Sequence, residues 1–195
     1  MYEEESETCS GSPEGSERVP GTQEGRILVF TGDGKGKTTA ALGMALRAHG
    51  HDIPVAVIQF VKSDAQTGEF AALKGMAGVE IVVAGLGFVP PKTDPCFADH
   101  RRAAEEGLRI ASEEVCSGRF GLVILDELCY AVARDLVAEE PVLRLLKEAA
   151  PGVAIVLTGR GATEGLIAAA DTVSEIRCVK HGFDSGKKAQ KGVEF

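Results

Sequence analysis

The chain has 195 residues, a formal net charge of −8 and 44% hydrophobic residues. This length suits one domain with a buried core of its own. No apolar run approaches the roughly 18 residues of a membrane span, and the N-terminus lacks the basic and apolar regions of a secretory signal. We therefore expect a protein that is neither inserted in a membrane nor exported.

The charge is concentrated at the N-terminus. Residues 1–25 hold seven Glu against one Arg, which is −6 of the total −8 and leaves −2 on residues 26–195. Few large apolar groups and many Ser, Gly and Thr predict a disordered acidic leader, followed by one domain over 26–195. The nearly neutral domain disfavours general nucleic-acid binding, which needs a strongly basic surface. Residues 177–195 are a local exception with five Lys or Arg. A basic patch that binds an anionic ligand explains these residues as well as RNA binding does.

The cysteines are scattered along the chain and have no C-x-x-C spacing: Cys9, Cys96, Cys116, Cys129 and Cys178. An odd number without such spacing disfavours both a disulfide framework and a structural zinc site. A reducing cytoplasm fits this pattern.

The first predicted strand, Ile27–Phe30, leads into a glycine-rich loop and then an Ala-rich helix from about Thr38 to His49. A strand, a glycine loop and a helix start are what a phosphate-binding loop needs, because loop N–H groups and the helix N-terminus attract phosphate oxygens. Lys37 adds a full positive charge, and the Thr38 hydroxyl can bind Mg²⁺. The predicted nucleotide-binding residues of this loop are Gly32, Asp33, Gly34, Lys35, Gly36, Lys37, Thr38 and Thr39.

The loop is one residue shorter than the usual pattern, because Thr31 stands where the first glycine is expected. The alternative is a glycine turn between strand and helix without any ligand.

The second predicted strand, Val55–Phe60, is followed by polar residues that could face the same cleft. These are Gln59, Lys62 and Glu69, of which Glu69 is a second Mg²⁺ candidate; each alone is more often an ordinary loop residue. A short helix near 69–76 and a strand over 79–83 come next. A loop with several Gly and Pro then leads to a longer helix, whose apolar stripe is Ala104, Leu108, Ala111 and Val115.

The run Leu122–Leu125 is nearly all apolar, as a strand buried on both faces should be, and it ends in Asp126 and Glu127. An acid at that point can face the phosphate loop and hold Mg²⁺ directly or through water. Glu127 could instead orient an attacking water, and the sequence does not separate these roles. Two solvated carboxylates at a strand end are the simpler alternative.

The rest of the chain continues the alternation, with a helix around Val142–Leu146, a strand over 153–157, a helix near 164–170 and a last strand around 173–179. This order predicts an α/β fold: a mostly parallel, P-loop NTPase-like sheet with helices on both faces, in three layers. Ligands bind such sheets at the C-terminal strand ends. Arg160, in Thr158–Gly161, is therefore placed to meet triphosphate or another anion, unless it is a surface Arg in a turn.

Together these motifs resemble the P-loop type of corrinoid adenosyltransferases over about residues 25–195. The matching segments are 32–39, 57–62, 125–128, 158–161, 171–175 and, most specifically, Val-Lys-His-Gly-Phe-Asp-Ser-Gly-Lys-Lys-Ala-Gln-Lys-Gly at 179–192. The resemblance implies that a Co(I) corrinoid attacks the 5′ carbon of ATP and that intact triphosphate leaves. It implies that Lys37, Thr38 and Arg160 act on the leaving triphosphate, and it adds substrate contacts by His181, Phe183 and Asp184. Glu127 stays a catalytic candidate, Gln59 and Arg160 stay candidates for contacts with the nucleotide, and Thr38, Glu69, Asp126 and Glu127 stay the metal candidates that their positions suggest.

The resemblance also implies a second task, the removal of the lower axial ligand of Co(II) by apolar side chains. Phe88 matches the family's Phe, whereas Pro90 stands where the family pattern has a Trp, and the chain contains no Trp. A homodimer is implied in the same way, and the chemistry implies a reduced flavoprotein as electron donor.

Two other functional classes remain open at this stage. An ordinary P-loop ATPase or phosphotransferase explains residues 32–39 and 126–127 but leaves the segment 180–192 unexplained. The second class is a non-catalytic protein that binds a nucleotide or carries a corrinoid. A corrinoid carrier usually provides a His ligand to cobalt, and the sequence has no Asp-x-His-x-x-Gly pattern.

Overall fold

The structure is a computed structural model, and it describes residues 25–63 and 67–193. The predicted acidic leader therefore lies outside the described residues, except for Gly25.

Strands and helices alternate along the chain, as the sequence pattern predicts. The strands are β1 (Ile27–Thr31), β2 (Val55–Gln59), β3 (Val79–Val83), β4 (Leu122–Asp126), β5 (Ala154–Thr158) and β6 (Thr172–Glu175). The helices are α1 (Lys37–His49), α2 (Gly68–Lys74), α3 (Phe97–Cys116), α4 (Leu128–Ala133), α5 (Glu139–Lys147) and α6 (Glu164–Ala169), followed by a 3₁₀ turn at Gly182–Ser185.

The six strands form one sheet in the order β3-β2-β4-β5-β1-β6, and every neighbouring pair is parallel. The strand of the phosphate loop, β1, and the strand that ends in Asp126, β4, both flank β5. Their C-terminal ends therefore meet at one edge of the sheet, where α/β proteins bind ligands.

Alternate residues of the central strands pack into two separate cores. On one face Val55, Val57 and Ile124 pack against α2 and against the alanine side chains of α1. On the other face Ile58 and Leu125 pack with residues of α3 to α6. Strands buried on both sides must be apolar at nearly every position, which explains their uninterrupted hydrophobic runs. The predicted three-layer α/β/α fold is confirmed.

Two element predictions differ from the structure. β6 ends at Glu175 instead of continuing to Val179, because its partner β1 ends at Thr31 and the next residue, Ile176, hydrogen-bonds to Thr31 O and to the phosphate loop. The six-residue helix α4 was not predicted, because it is too short to show a helical period and follows directly on Glu127.

Candidate functional site

The glycine loop between β1 and α1 uses backbone conformations that other residues rarely adopt. Gly32 has φ +92° and Gly36 has φ +121°, both in the region that favours glycine. Gly36 is the N-cap of α1, and its carbonyl accepts the first helical hydrogen bond, from Ala40 N at 2.8 Å. These glycines let the loop turn tightly while the N-terminus of α1 points into the cleft.

The Lys37 side chain folds back over this loop. Its Nζ donates to Gly32 O at 2.6 Å and to Gly34 O at 2.8 Å. Burial lowers the pKa of this ammonium, and among the nearby charges Glu127 acts in the opposite direction. The lysine is thus a buried cation at the mouth of the loop, where a phosphate oxygen can replace the carbonyls.

Asp126 is the centre of the polar network, and its side chain is fully buried. Its Oδ1 accepts hydrogen bonds from Thr38 Oγ1 at 2.7 Å and from Thr158 Oγ1 at 2.8 Å. Its Oδ2 accepts one from Gln59 Nε2 at 3.3 Å. Groups from α1, β5 and β2 therefore converge on one carboxylate, directly beneath the start of α1.

Lys62 and Glu69 lie beside this network on the wall of the cleft. Lys62 Nζ is 3.0 Å from Glu69 Oε1 and 3.5 Å from Asp126 Oδ2. Burial opposes the charge on Lys62, but the two carboxylates outweigh it and raise its pKa. Glu69 is thus engaged in an ion pair, and its role as a metal ligand stays a prediction.

Glu127 has a left-handed backbone, with φ 63° and ψ 17°, at the junction of β4 and α4. This is uncommon for a residue with a side chain. Its N–H donates to Thr158 Oγ1 at 2.9 Å, which stabilises the sharp turn. Burial, and then the neighbouring Asp126, raise the pKa of its carboxyl group, while Lys37, Lys62 and Arg160 oppose this shift.

Arg160 lies across the cleft from the phosphate loop. Its Nε is 4.0 Å from Asp33 Oδ1, and both side chains are largely exposed. An exposed pair of this length contributes little to stability. The guanidinium is accordingly available to an anionic ligand.

The segment that follows β6 packs onto the phosphate loop. Gly34 N donates to Ile176 O at 2.7 Å, and Lys35 Nζ donates to Val193 O at 2.8 Å. A Cβ on Gly34 would lie 2.7 Å from the carbonyl oxygens of Ile176 and Arg177, so only glycine fits here. The C-terminal segment is therefore part of the site.

A cleft of about 1000 Å³ collects most of the predicted residues. Its lining includes residues 33–39 of the loop together with Lys62, Glu69, Glu127, Arg160 and His181. Gly192 and Val193 form part of the same wall. Gly32, Gln59 and Asp126 were also predicted but do not line the cleft. Gly32 and Asp126 accept hydrogen bonds from the lining residues Lys37 and Thr38, and Gln59 donates to Asp126.

Three further predicted site residues, Phe88, Phe183 and Asp184, also lie outside the lining of this cleft. Phe88 is 90% exposed and Phe183 is 78% exposed, and Asp184 lies beside Phe183 in the 3₁₀ turn. Their predicted roles rest on the resemblance, and nothing in the geometry brings them to the phosphate loop.

Sequence reasoning missed Thr158, which bonds both acidic residues of the site. The signal was present, because Thr158 ends β5 on the same sheet edge as Asp126 and precedes the Gly-Arg-Gly turn. It also missed the docking of Ile176 and Val193 on the loop, for which the sequence holds no local signal.

No helix within residues 25–63 and 67–193 has the length and apolar character to cross a membrane. In the same part of the chain, no group of three or more His, Cys, Asp or Glu side chains could hold a metal ion.

Comparison with known proteins identifies a family for almost the whole chain. The family described as ATP:corrinoid adenosyltransferase BtuR/CobO/CobP matches residues 23–195. The corrinoid adenosyltransferase of Escherichia coli (strain K12) is 41% identical over 173 residues, covering 89% of this chain and 87% of the relative. Corrinoid adenosyltransferase CobA of Salmonella typhimurium is 41% identical over 186 residues, covering 91% and 90%. The Pseudomonas aeruginosa corrinoid adenosyltransferase is 41% identical over 174 residues, covering 89% and 85%.

These matches span the phosphate loop, the acidic strand end and the docked C-terminal segment, so the chain belongs to the ATP:corrinoid adenosyltransferase family, the enzymes of ATP-dependent corrinoid adenosylation.

Proposed function

We propose that this enzyme transfers the 5′-deoxyadenosyl group of ATP to the Co(I) centre of a reduced corrinoid, in adenosylcobalamin synthesis or salvage. The electron pair of Co(I) forms the cobalt–carbon bond, the bond between C5′ and its oxygen breaks, and triphosphate leaves with that electron pair. No proton has to be removed from the nucleophile. The protein's main task is then to bind ATP and stabilise charge on the leaving group.

The observation that carries this proposal is the packing of the C-terminal segment on the phosphate loop. The Gly34–Ile176 and Lys35–Val193 hydrogen bonds hold the chain on either side of the family-specific segment 179–192, and His181 and Gly192 of that segment line the cleft. A simple ATPase has no need of such a segment. The Gly34 N–H already donates to Ile176 O, so the other N–H groups of the loop are the ones that can bind phosphate.

The charged residues around the cleft suit a polyanionic leaving group. Lys37 lies over the loop carbonyls, and Arg160 faces the loop near Asp33. A buried lysine acts in a low-dielectric setting, where its charge interacts more strongly than in water. We assign Lys37 to the phosphates throughout the reaction and Arg160 to the charge that develops on the departing triphosphate.

The residues beneath the loop fit a magnesium ion. Mg²⁺ prefers oxygen ligands and usually binds one or two carboxylates together with phosphates and water, so a cluster of three acids is not required. Thr38 and Asp126 offer a hydroxyl and a carboxylate oxygen 2.7 Å apart, with Glu127 next in the chain. The buried Gln59 Oε1 has no hydrogen-bond partner among the described residues and can accept one from a metal-bound water. When bound, the ion neutralises phosphate charge; Thr38, Asp126 and Glu127 would hold it.

Phe88 is proposed to act on the corrinoid and not on ATP. Its ring is 90% exposed, yet its loop is anchored on both sides: Gly87 N donates to Val61 O at 2.7 Å, and Val89 is buried. A rigidly presented apolar ring can displace a lower axial ligand, which eases reduction of Co(II). A reduced flavoprotein supplies the electron in this proposal.

The cellular setting and assembly are part of the same proposal. The four described cysteines, Cys96, Cys116, Cys129 and Cys178, are all free, which supports a reducing cytoplasm. A homodimer is proposed from the family pattern alone.

The test is an anaerobic assay with Mg-ATP and chemically reduced cob(I)alamin that follows both products. We expect light-sensitive adenosylcobalamin and triphosphate in equal amounts. ADP and phosphate with unchanged corrinoid would refute the transferase reaction and favour the phosphotransferase or ATPase alternative, with Glu127 orienting water.

A further inference from the structure

Lys62 has no role in the mechanism above, although it touches the centre of the site. It follows β2, lines the cleft, and places its ammonium between Glu69 at 3.0 Å and Asp126 at 3.5 Å. The Asp126 side chain is fully buried, whereas those of Lys62 and Glu69 are each 29% exposed. One cation is thus shared by a buried carboxylate and a partly exposed one.

Three hydrogen bonds and the ion pair with Lys62 surround the Asp126 carboxylate, so a metal ion has to share it with these groups. A carboxylate has about four acceptor sites. Asp126 accepts two hydroxyl hydrogen bonds on Oδ1 and one amide hydrogen bond on Oδ2, and the Lys62 ammonium lies 3.5 Å from Oδ2. A ligand to Asp126 must therefore displace a donor or change its role.

The four donors differ in how easily they can move. Gln59 and Thr158 are fully buried in the sheet. Thr38 is itself a proposed metal ligand. Lys62 has a flexible four-carbon stem and is already in contact with a second carboxylate, Glu69.

We propose that Lys62 is the counter-cation of Asp126 in the metal-free enzyme, that it passes to Glu69 when magnesium binds, and that it thereby sets the magnesium requirement for nucleotide binding. The inference rests on the proposed magnesium site of Thr38 and Asp126. Two opposite effects follow from one charge. Lys62 attracts the triphosphate when metal is absent, and it competes with the metal for Asp126.

The experiment measures ATP binding by isothermal titration calorimetry with the full-length chain, in EDTA and across a magnesium series, without corrinoid. For Lys62→Met we expect ATP affinity in EDTA to fall on the order of tenfold, and the half-saturating magnesium concentration to fall on the order of tenfold, as removal of one close charge implies. For Glu69→Gln we expect that magnesium concentration to rise, because Lys62 loses its alternative partner.

Two further variants separate charge from structure. Lys62→Arg keeps the charge and is expected to lose less ATP affinity in EDTA than Lys62→Met. Lys74→Met removes a lysine at the far end of α2, outside the cleft lining, and is expected to change neither quantity. Thermal unfolding shows whether each variant folds. If Lys62→Met does not fold, Glu69→Gln still tests the proposal.

Equal losses of ATP affinity with and without magnesium in Lys62→Met would overturn the proposal and leave Lys62 a structural role. Shifts of the magnesium requirement in the same direction for Lys62→Met and Glu69→Gln would overturn it as well. The proposed function fails separately, when the wild-type enzyme forms no adenosylcobalamin in the product assay.

Discussion

Replacing Thr158 with valine tests whether the buried network around Asp126 holds the site together. Valine has nearly the same shape, so the change removes only the hydroxyl group. That hydroxyl donates to Asp126 Oδ1 at 2.8 Å and accepts from Glu127 N at 2.9 Å, and it is fully buried. The variant therefore leaves one carboxylate short of a donor and one backbone N–H short of an acceptor.

The expected loss follows from these two contacts. A hydrogen bond to a charged group contributes about 1.5–3 kcal/mol, and an unsatisfied buried N–H costs about 1–3 kcal/mol. The lower half of the summed range applies because Thr38 still donates to Asp126. A loss of about 3 kcal/mol lowers Tm by roughly 6–12 °C for a chain of this size. Because Asp126 is also a proposed metal ligand, we expect magnesium affinity to fall by about 10–100-fold.

The assay is urea unfolding at 25 °C followed by circular dichroism, with a magnesium titration of ATP binding on the same samples. Thr158→Ser keeps the hydroxyl and is the matched control; Thr172→Val changes an exposed threonine on β6 and should shift stability by less than about 0.5 kcal/mol. Wild-type stability and magnesium affinity in Thr158→Val would refute the view that this network organises the site.

Three further predictions concern single residues. Lys37→Ala should reduce adenosylation by orders of magnitude, because it removes the cation at the phosphate loop; near-normal turnover would exclude the phosphate-loop mechanism. Phe88→Ala should impair conversion of Co(II) corrinoid far more than transfer to pre-reduced Co(I), with unchanged stability since the ring is exposed; equal kinetic effects would leave Phe88 no part in ligand displacement. Glu127→Gln should stabilise the fold at pH 7. Burial and Asp126 raise the folded-state pKa of Glu127, so its ionisation destabilises the protein as pH rises above the ordinary value of 4.5. Urea unfolding at pH 7 and below pH 4.5 checks this, and a gain that persists at low pH would contradict it.

Much of the site was predictable because its parts are local in sequence. A glycine loop between a strand and a helix, and acids at the end of a buried strand, depend on neighbouring residues and on the rule that parallel strands present their C-terminal ends together. These features placed residues 33–39, Glu127 and Arg160 in one cleft, where the structure has them. The end of β6 was misplaced because it depends on where β1 ends, which is information from another part of the chain.

The sequence by itself determined the alternation of elements, the phosphate loop and the identity of the acidic residues, since apolar period, glycine and charge are written in the local order of residues. Only the tertiary structure decided how these groups are paired. Thr38 and Asp126 are 88 positions apart in the sequence. They form a hydrogen bond because the sheet order β4-β5-β1 brings the end of β4 close to the helix that follows β1. Lys35 reaches Val193 across 158 positions because the chain after β6 returns to the loop. Such contacts depend on sheet order and chain return, and no short-range pattern encodes them.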